Sequence, residues 1–273
     1  MNTIKNFYTC FLMGGLGNQM FQVANCYAQA KKNNVEMFLP KNSFTPLQGK
    51  DTSHYIDNIL KKFKFKDNIT NFFRLNENSW SFTEIDTPKN CNIQFYGYYQ
   101  SSKNFSEYKK EIIDLFSPSQ YEIDFISKKY PEINLKNTLS VHIRMGDYLK
   151  NPKIHPTISL EYINKSINLI GEYEHIFIFS DNKKWVENNI NLPNSTIVDD
   201  LDYIELWLMS LCTNNIISNS TFSWWGSFLN KNENKIVIAP SVWFGEDGPK
   251  NYLDIYESDW TIMNVNNHNG QLC

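Results

Sequence analysis

The second half of the chain alternates between short apolar runs and longer amphipathic stretches. The runs are rich in β-branched residues, which is typical of buried strands. The stretches between them repeat apolar residues at helical spacing, as Leu160, Ile163 and Ile167 do. Strands that alternate with helices predict a parallel sheet covered by helices. The predicted strands are 138–141, 175–179, 197–198, 215–217 and 235–240, and the predicted helices are 159–170, 203–212 and 224–229.

The first half starts with the same alternation and then becomes irregular. Pro46, Pro88 and many polar residues between positions 41 and 110 predict loops around short elements. The aromatic run 93–100 predicts a strand that either lines a sugar cleft or packs in the core. Pro131 closes the irregular region, and we therefore predict an N-terminal lobe of residues 1–133 and a C-terminal lobe of residues 134–273. The clearer elements are strands 7–13 and 35–39 and helices 20–32, 105–116 and 121–130.

Composition narrows the class of protein. The chain has 273 residues and 41% hydrophobic residues, enough for one large domain or two ordinary ones. The aromatic content of 15% fits stacking surfaces for sugars or bases, or simply large cores. A net charge of −3 provides no basic field for nucleic acid. The five cysteines form no CxxC pair, which favours a reducing compartment, and no apolar run is long enough to span a membrane, so a soluble chain is expected.

A glycine-rich segment, residues 14–19, follows the first predicted strand. Strand, glycine segment and helix in this order can direct backbone N–H groups and a helix N-terminus at an oxyanion. The Walker pattern is absent, and Met20 stands where the dinucleotide fingerprint needs a third glycine. Two interpretations remain open. The segment is a ligand loop with the amides of Asn18 and Gln19 at its tip, or a tight turn that requires glycine.

Three groups with chemical potential follow the strand at 138–141. Period-two alternation predicts that His142 and Arg144 share a face, and Gly146 predicts a turn that carries Asp147. An imidazole, a guanidinium and a carboxylate then lie at a strand end, which is where ligands bind in open α/β sheets. The alternative is a surface strand with scattered charges.

Polar triplets follow two other strands, at residues 180–182 and 218–220. The second begins a helix, where hydroxyls and free N–H groups can hold a diphosphate or merely cap the helix. The acidic run 199–202 can hold Mg²⁺ or Mn²⁺, but an acidic helix N-terminus is the favoured interpretation. We expect Trp224 and Trp225 to be core residues rather than a stacking platform. No histidine spacing typical of a metal site and no hydrolase signature is present.

Four of these segments together resemble the α-1,2-fucosyltransferases of glycosyltransferase family 11: residues 14–22, 142–148, 179–182 and 218–226, in that order. Met145 departs from the pattern, because many relatives carry a second arginine there. The resemblance implies an α/β, GT-B-like fold of two Rossmann-like lobes facing a central cleft. It implies an inverting enzyme that uses GDP-β-L-fucose without a cofactor or a required metal.

The same resemblance implies partners and a location. The expected acceptor is O2 of a terminal galactose, in an oligosaccharide or lipid-linked glycan for surface polysaccharide. Bacterial family members suggest a cytoplasmic enzyme that can act at the inner face of the membrane, with at most peripheral membrane contact and no nucleic-acid partner.

The resemblance also implies roles for individual residues. His142, Arg144 and Asp147 are the catalytic candidates. Arg144 would stabilise the leaving diphosphate and His142 would orient donor or acceptor, while Asp147 would act as general base or hold Arg144. Asn18, His142 and Tyr148 are expected to bind the acceptor, and no metal ligand is expected. The expected donor-binding residues are Gly15, Gly17, Asn18, Gln19, Arg144, Ser180, Asp181, Asn182, Glu205, Ser218, Asn219, Ser220, Thr221, Phe222 and Ser223.

Three rival hypotheses remain. A similar enzyme could use another GDP- or UDP-sugar. A dinucleotide-binding oxidoreductase could be built on Gly15 and Gly17, although the missing third glycine argues against it. The aromatic content also fits a non-catalytic glycan-binding module, which nucleotide binding would exclude.

Overall fold

Two parallel sheets organise the chain in the computed structural model, which describes residues 6–41 and 50–264. Each sheet belongs to one of two compact units. Unit 1 comprises Met1–Ser117 with Leu253–Ile255, and unit 2 comprises Pro118–Tyr252 with Tyr256–Cys273.

Unit 1 is built on a four-stranded sheet in which every pair of neighbours is parallel, in the order β2 (Glu36–Met37), β1 (Phe7–Cys10), β6 (Ile93–Tyr96) and β5 (Phe73–Asn76). Its third and fourth strands form a separate parallel pair. The first helix packs against the first strand. In chain order the elements are β1 (Phe7–Cys10), α1 (Leu16–Lys32), β2 (Glu36–Met37), β3 (Leu39–Pro40), β4 (Phe65–Lys66), β5 (Phe73–Asn76), β6 (Ile93–Tyr96) and α2 (Lys109–Phe116).

The first helix begins earlier than the hydrophobic pattern predicted. Gly15 is its N-cap, with φ −70° and ψ 175°, so Gly17, Asn18 and Gln19 lie in the first helical turn rather than in a loop. The turn itself is made at Gly14, whose φ of +77° suits glycine. A Cβ at that position would also overlap the Asn18 side chain. The start of the helix was not predicted because Gly17, Asn18 and Gln19 separate the buried Leu16 from the apolar residues that begin at Met20.

Unit 2 contains a six-stranded sheet in which all neighbours are parallel. Its strands run in the spatial order third, second, first, fourth, fifth, sixth, which is the dinucleotide-binding, doubly wound order. The direction of winding therefore reverses between the first and fourth strands of the unit. In chain order the elements are α3 (Gln120–Lys129), β7 (Thr138–Ile143), α4 (Leu160–Ile170), β8 (His175–Ser180), α5 (Lys183–Asn189), β9 (Ser195–Ile197), α6 (Asp202–Leu211), β10 (Asn214–Ile216), α7 (Thr221–Phe228), β11 (Val237–Pro240) and β12 (Thr261–Met263).

The division between units lies before α3, whereas the sequence placed it after residue 133. Two contacts tie the end of α3 to unit 2. Lys129 pairs with Asp200 at 2.7 Å, and the Tyr130 hydroxyl donates to the same carboxylate at 3.1 Å. Both contacts join residues far apart in the sequence, and a boundary drawn from a proline does not detect them.

The core of unit 2 holds the tryptophan pair. Trp224 and Trp225 are both fully buried, which confirms their prediction as core residues. The four cysteines within the described ranges, Cys10, Cys26, Cys91 and Cys212, are free thiols. In residues 6–41 and 50–264, no helix has both the length and the apolar character needed to cross a membrane.

Candidate active site

The winding reversal of unit 2 brings together two segments that are 76 residues apart in sequence. His142, near the end of β7, lies beside Ser218, just after β10, with Nδ1 and Oγ 2.6 Å apart. Both side chains are buried. The imidazole ring also lies 5.7 Å from the ring of Phe222. Since ligands bind at such a reversal, outside the carboxyl ends of the strands, this edge is the candidate active site.

The imidazole of His142 is uncharged at neutral pH. Burial, followed by the nearby positive charge of Arg144, lowers its pKa to about 3. A histidine with so low a pKa is a weak proton acceptor, and its Nδ1 is already engaged with Ser218. The structure therefore favours an orienting role over a proton-transfer role.

This lowered pKa predicts a pH dependence of stability. Between about pH 6.5 and about pH 3 the unfolded chain binds a proton at His142 that the folded chain does not. Protonation therefore favours unfolding, and stability should fall as the pH decreases through this window, by up to about 1.4 kcal/mol per pH unit from this residue. Urea denaturation at several pH values measures the slope. The His142→Gln variant should show a smaller slope, and an equal slope in both proteins would contradict the assignment.

Arg144 is held by two carboxylates. Its Nη2 donates to Asp147 Oδ1 at 2.6 Å, and its Nη1 lies 3.0 Å from Asp181 Oδ2. The guanidinium also lies over the ring of Tyr148, 5.3 Å from the centroid. Burial opposes its charge, but Asp181 and Asp147 outweigh burial and raise the pKa of Arg144. The result is a fixed cation whose side chain remains 31% exposed.

The strand ends before Arg144, which changes the sequence interpretation. β7 finishes at Ile143, so the expectation that His142 and Arg144 share a strand face does not apply. Asp181 shapes the turn that follows, because its Oδ1 accepts a hydrogen bond from Met145 N at 2.9 Å. A Cβ on Gly146 would overlap the Asp181 carboxylate, so only glycine allows this approach. Of the two roles proposed for Asp147, the contacts support holding Arg144.

The start of α7 combines buried polar residues with the half-buried Thr221 and Phe222. Ser220 is the N-cap and accepts from Phe222 N at 3.4 Å. Ser223 donates back to the carbonyl of Ser220 at 3.2 Å. The Asn219 amide donates to the carbonyls of Pro156 and Trp243 at 2.9 and 3.0 Å, so it braces neighbouring loops. Thr221 and Phe222 are half-buried, which leaves the first turn of α7 as the part that can face a ligand.

Ser180 is the last residue of β8 and pairs with Ile143 of β7, and Asp181 and Asn182 follow it. Ser180 Oγ accepts from Asn182 N at 3.1 Å. Asn182 in turn caps α5 by accepting from Trp185 N at 3.1 Å. All three residues therefore lie at the same sheet edge as Arg144, with Asp181 in direct contact with it.

Glu205 is connected to this edge through a lysine that the sequence did not single out. Lys183 Nζ lies 2.9 Å from Glu205 Oε1 and 2.5 Å from Asp199 Oδ1. Burial is the main cause that raises the pKa of Glu205. The acidic run 199–202 precedes α6, which begins at Asp202, and this confirms the helix N-terminal interpretation. Only its position after Ser180–Asn182 could have suggested a role for Lys183.

Tyr148 and His155 form a stacked pair beside Arg144. Their ring centroids are 4.7 Å apart with an interplanar angle of 18°. The Tyr148 hydroxyl donates to the Asn219 carbonyl at 2.9 Å, which links the turn after β7 to the segment after β10. No pattern in the sequence pointed to His155.

Gly15, Gly17, Asn18 and Gln19 belong to unit 1 and have their own set of contacts. Gln19 is buried, and its amide donates to the carbonyls of Gly14 and Lys50 at 3.1 and 2.9 Å. The prediction that Gln19 presents its amide at a loop tip is therefore wrong. Asn18 is half-buried, and its Oδ1 accepts from Gln100 Nε2 at 2.9 Å.

Comparison with known proteins identifies the family. The model of the family described as Glycosyl transferase family 11 matches residues 1–264. The chain belongs to glycosyltransferase family 11. It is 33% identical to the O-antigen biosynthesis glycosyltransferase WbnK of Escherichia coli, over 87% of this chain and 94% of the relative. It is also 33% identical to an α-1,2-colitosyltransferase of Escherichia coli, over 85% and 91% of the two chains. The resemblance drawn from the motifs is thus confirmed, and the protein is a glycosyltransferase.

Solved structures confirm the fold. The fucosyltransferase NodZ from Bradyrhizobium superposes with a TM-score of 0.53 at 12% identity, over 83% of this chain and 94% of that one. A POFUT1 structure in complex with GDP gives a TM-score of 0.50 at 12% identity, over 86% and 97%. The family 11 chain therefore has the predicted α/β, GT-B-like fold.

Proposed function

We propose that this family 11 enzyme transfers L-fucose from GDP-β-L-fucose to O2 of a terminal galactose, with inversion at the anomeric carbon. The observation that carries the proposal is the fixed, partly exposed guanidinium of Arg144 at the winding reversal of unit 2. Its two carboxylate partners hold it in place before any ligand arrives. A preorganised cation is suited to an anion that gains charge during the reaction.

In the proposed reaction O2 of galactose bonds to the anomeric carbon as the bond to the diphosphate oxygen breaks, and the proton of the attacking hydroxyl passes to water. Negative charge grows on the leaving diphosphate, and Arg144 stabilises it through a charge-assisted hydrogen bond. The first turn of α7 adds backbone N–H groups and the Ser220 and Thr221 hydroxyls. His142 stays neutral and orients the segment that carries Ser218. No step in this scheme uses a metal ion or a cofactor.

The names of relatives support the sugar and the linkage. A gorilla protein named galactoside α-(1,2)-fucosyltransferase 2 is 24% identical, over 83% of this chain and 70% of its own. The name of WbnK refers to O-antigen biosynthesis, which supports a surface polysaccharide, or its lipid-linked precursor, as the acceptor. We also propose that the enzyme is cytoplasmic and acts at the inner face of the membrane, where nucleotide sugars are available.

A second donor deserves a direct comparison because a relative of equal identity is named a colitosyltransferase. Colitose is fucose without its 3-hydroxyl group. A site that hydrogen-bonds this hydroxyl would reject the deoxy sugar strongly, whereas a site that leaves the position apolar would accept both. Measuring both donors side by side distinguishes the two specificities.

Donor-dependent release of GDP tests the function. Purified protein is incubated with GDP-fucose in EDTA, with and without lactose, and GDP-colitose is run in parallel. We expect lactose-dependent GDP release from GDP-fucose, unchanged when Mg²⁺ replaces EDTA, and a product in which O2 of galactose is substituted. Faster GDP release from GDP-colitose than from GDP-fucose would identify GDP-colitose as the preferred donor. Absence of release together with absence of thermal stabilisation by any guanine nucleotide would refute the use of a GDP-sugar.

A further inference from the structure

Unit 1 contains a pocket whose lining includes none of the candidate site residues described above. Its volume is about 250 Å³, and its walls are formed by residues 75–86 and 99–101 together with Asn104. Amide and hydroxyl side chains dominate the lining. It also contains the indole of Trp80 and the carboxylates of Glu77, Glu84 and Asp86.

The charge of this lining distinguishes it from a nucleotide site. None of the lining residues, all of them described in the structure, is lysine, arginine or histidine. A diphosphate would meet acidic groups here without a compensating cation. A neutral ligand rich in hydroxyl groups fits the amides, hydroxyls and carboxylates, and a sugar ring has this chemistry.

Trp80 supplies the aromatic surface that such a ligand needs. Its indole stacks on the ring of Tyr98, with centroids 5.6 Å apart and an angle of 18°. The side chain is half-buried, so it is held in place yet remains accessible. An indole offers a large, rigid apolar face with little loss of conformational entropy, against which the C–H face of a pyranose can pack.

Gln100 contributes an acceptor that lacks a partner. The residue is 9% exposed, and its Oε1 has no hydrogen-bond partner among the described residues. A buried acceptor without a partner is unfavourable, and a ligand hydroxyl would supply the missing hydrogen bond. Its Nε2 donates to Asn18, so the pocket wall is joined directly to the glycine-rich segment.

Two carboxylates hold the walls of the pocket in place through hydrogen bonds to backbone N–H groups. Glu77 accepts from the backbone N–H groups of Tyr98 and Tyr99 at 2.7 and 3.0 Å. Gly97 leaves space for the Glu77 side chain, since a Cβ there would overlap it. Asp254 accepts from Phe82 N at 2.8 Å and pairs with Lys103. The pocket is thus a built cavity whose lining loop is anchored at several points.

We propose that this pocket binds a neutral pyranose ring of the acceptor glycan. Trp80 packs against the face of the sugar, and Gln100 Oε1 accepts a hydrogen bond from one of its hydroxyls. The proposal rests on the proposed function for the presence of a glycan acceptor. It adds Trp80 and Gln100 to Asn18 as acceptor-binding residues.

Steady-state kinetics of Trp80→Ala test the pocket. We expect the KM for lactose to rise about tenfold or more, because the aromatic surface is lost. The KM for GDP-fucose should stay within about twofold, since the donor is bound by other residues. Phe73→Ala is the matched control, because Phe73 is an exposed aromatic of unit 1 that does not line the pocket. Trp80→Phe keeps an aromatic ring and should give an intermediate KM for lactose. If Trp80→Ala does not fold, the lactose KM of Trp80→Phe tests the pocket in its place.

Direct binding separates failure of the pocket from failure of the proposed function. Saturation-transfer NMR with lactose, N-acetyllactosamine and lacto-N-biose needs no donor. Binding by the wild type that weakens in Trp80→Ala but not in Phe73→Ala supports the pocket, even if GDP-fucose proves to be the wrong donor. A folded Trp80→Ala enzyme with unchanged lactose KM and binding overturns the pocket while leaving the transferase activity intact. Wild-type protein that binds none of the three glycans also overturns it.

Discussion

Arg144→Ala is expected to lower kcat with GDP-fucose and lactose by about 10²–10³-fold, the usual loss when one preorganised stabiliser of developing charge is removed. The charge on the leaving diphosphate is greatest in the transition state. The loss should therefore appear in kcat and in kcat/KM alike, with a smaller change in the KM for the donor. Initial rates of GDP release over a range of both substrates measure these constants.

The use of arginine at this position is itself informative. The chain contains 26 basic residues, and only Arg74 and Arg144 are arginines. Arg144 uses two different nitrogens to reach Asp147 and Asp181, which a single ammonium group cannot reproduce with the same geometry. Arg144→Lys should therefore recover only part of the activity lost in Arg144→Ala.

Arg74→Ala is the matched control, because it removes the other arginine. Its Nε donates to Gln94 at 3.1 Å, and its guanidinium lies near the rings of Phe11 and Tyr96 in unit 1. We expect this variant to turn over at close to the wild-type rate. A folded Arg144→Ala protein with near-wild-type turnover would rule out Arg144 as the group that stabilises the leaving diphosphate.

Most regular elements of unit 2 were predictable, because its longer strands are largely apolar and its longer helices have amphipathic spacing. β7, β8 and β11 are buried along their lengths apart from His175, as expected for a parallel sheet covered on both faces. Two short elements, α5 and β12, escaped prediction. The seven residues of α5 bury only Val186, and β12 has no buried residue, so neither carries a clear periodic signal.

The candidate site was predictable as a set of strand ends but not as a set of contacts. Chain order does not reveal that β10 pairs with β7, and this pairing places Ser218 against His142. The sequence also does not give side-chain direction: Gln19 and Asn219 are expected donor-binding residues, and the structure adds that their amides donate to backbone carbonyls. The pocket around Trp80 escaped notice because its walls are largely loop, where no hydrophobic period exists.

Trp224→Ala should destabilise unit 2 by about 3–5 kcal/mol, the usual cost of removing a large aromatic side chain from a core. The side chain is fully buried. Its ring stacks on Phe228 at 4.6 Å and 18°, and lies 5.1 Å from Trp225 and 5.7 Å from Trp260. A loss of this size is a large part of the 5–15 kcal/mol typical of folded domains, so we expect a markedly lower urea midpoint by circular dichroism.

Trp224→Ala also tests whether the packing of α7 positions the donor-binding residues at the start of this helix. Ser220, the N-cap, lies about one turn before Trp224, and Trp224 N donates to its carbonyl at 3.0 Å. Under conditions where Trp224→Ala is still folded, a loosened helix start should raise the KM for GDP-fucose. Tyr121→Ala is the control, because Tyr121 is 80% exposed and its loss should change stability by no more than about 0.5 kcal/mol. Equal urea midpoints for the two variants would show that the packing around Trp224 does not stabilise unit 2. A lowered midpoint with an unchanged donor KM would separate the stability of α7 from donor binding.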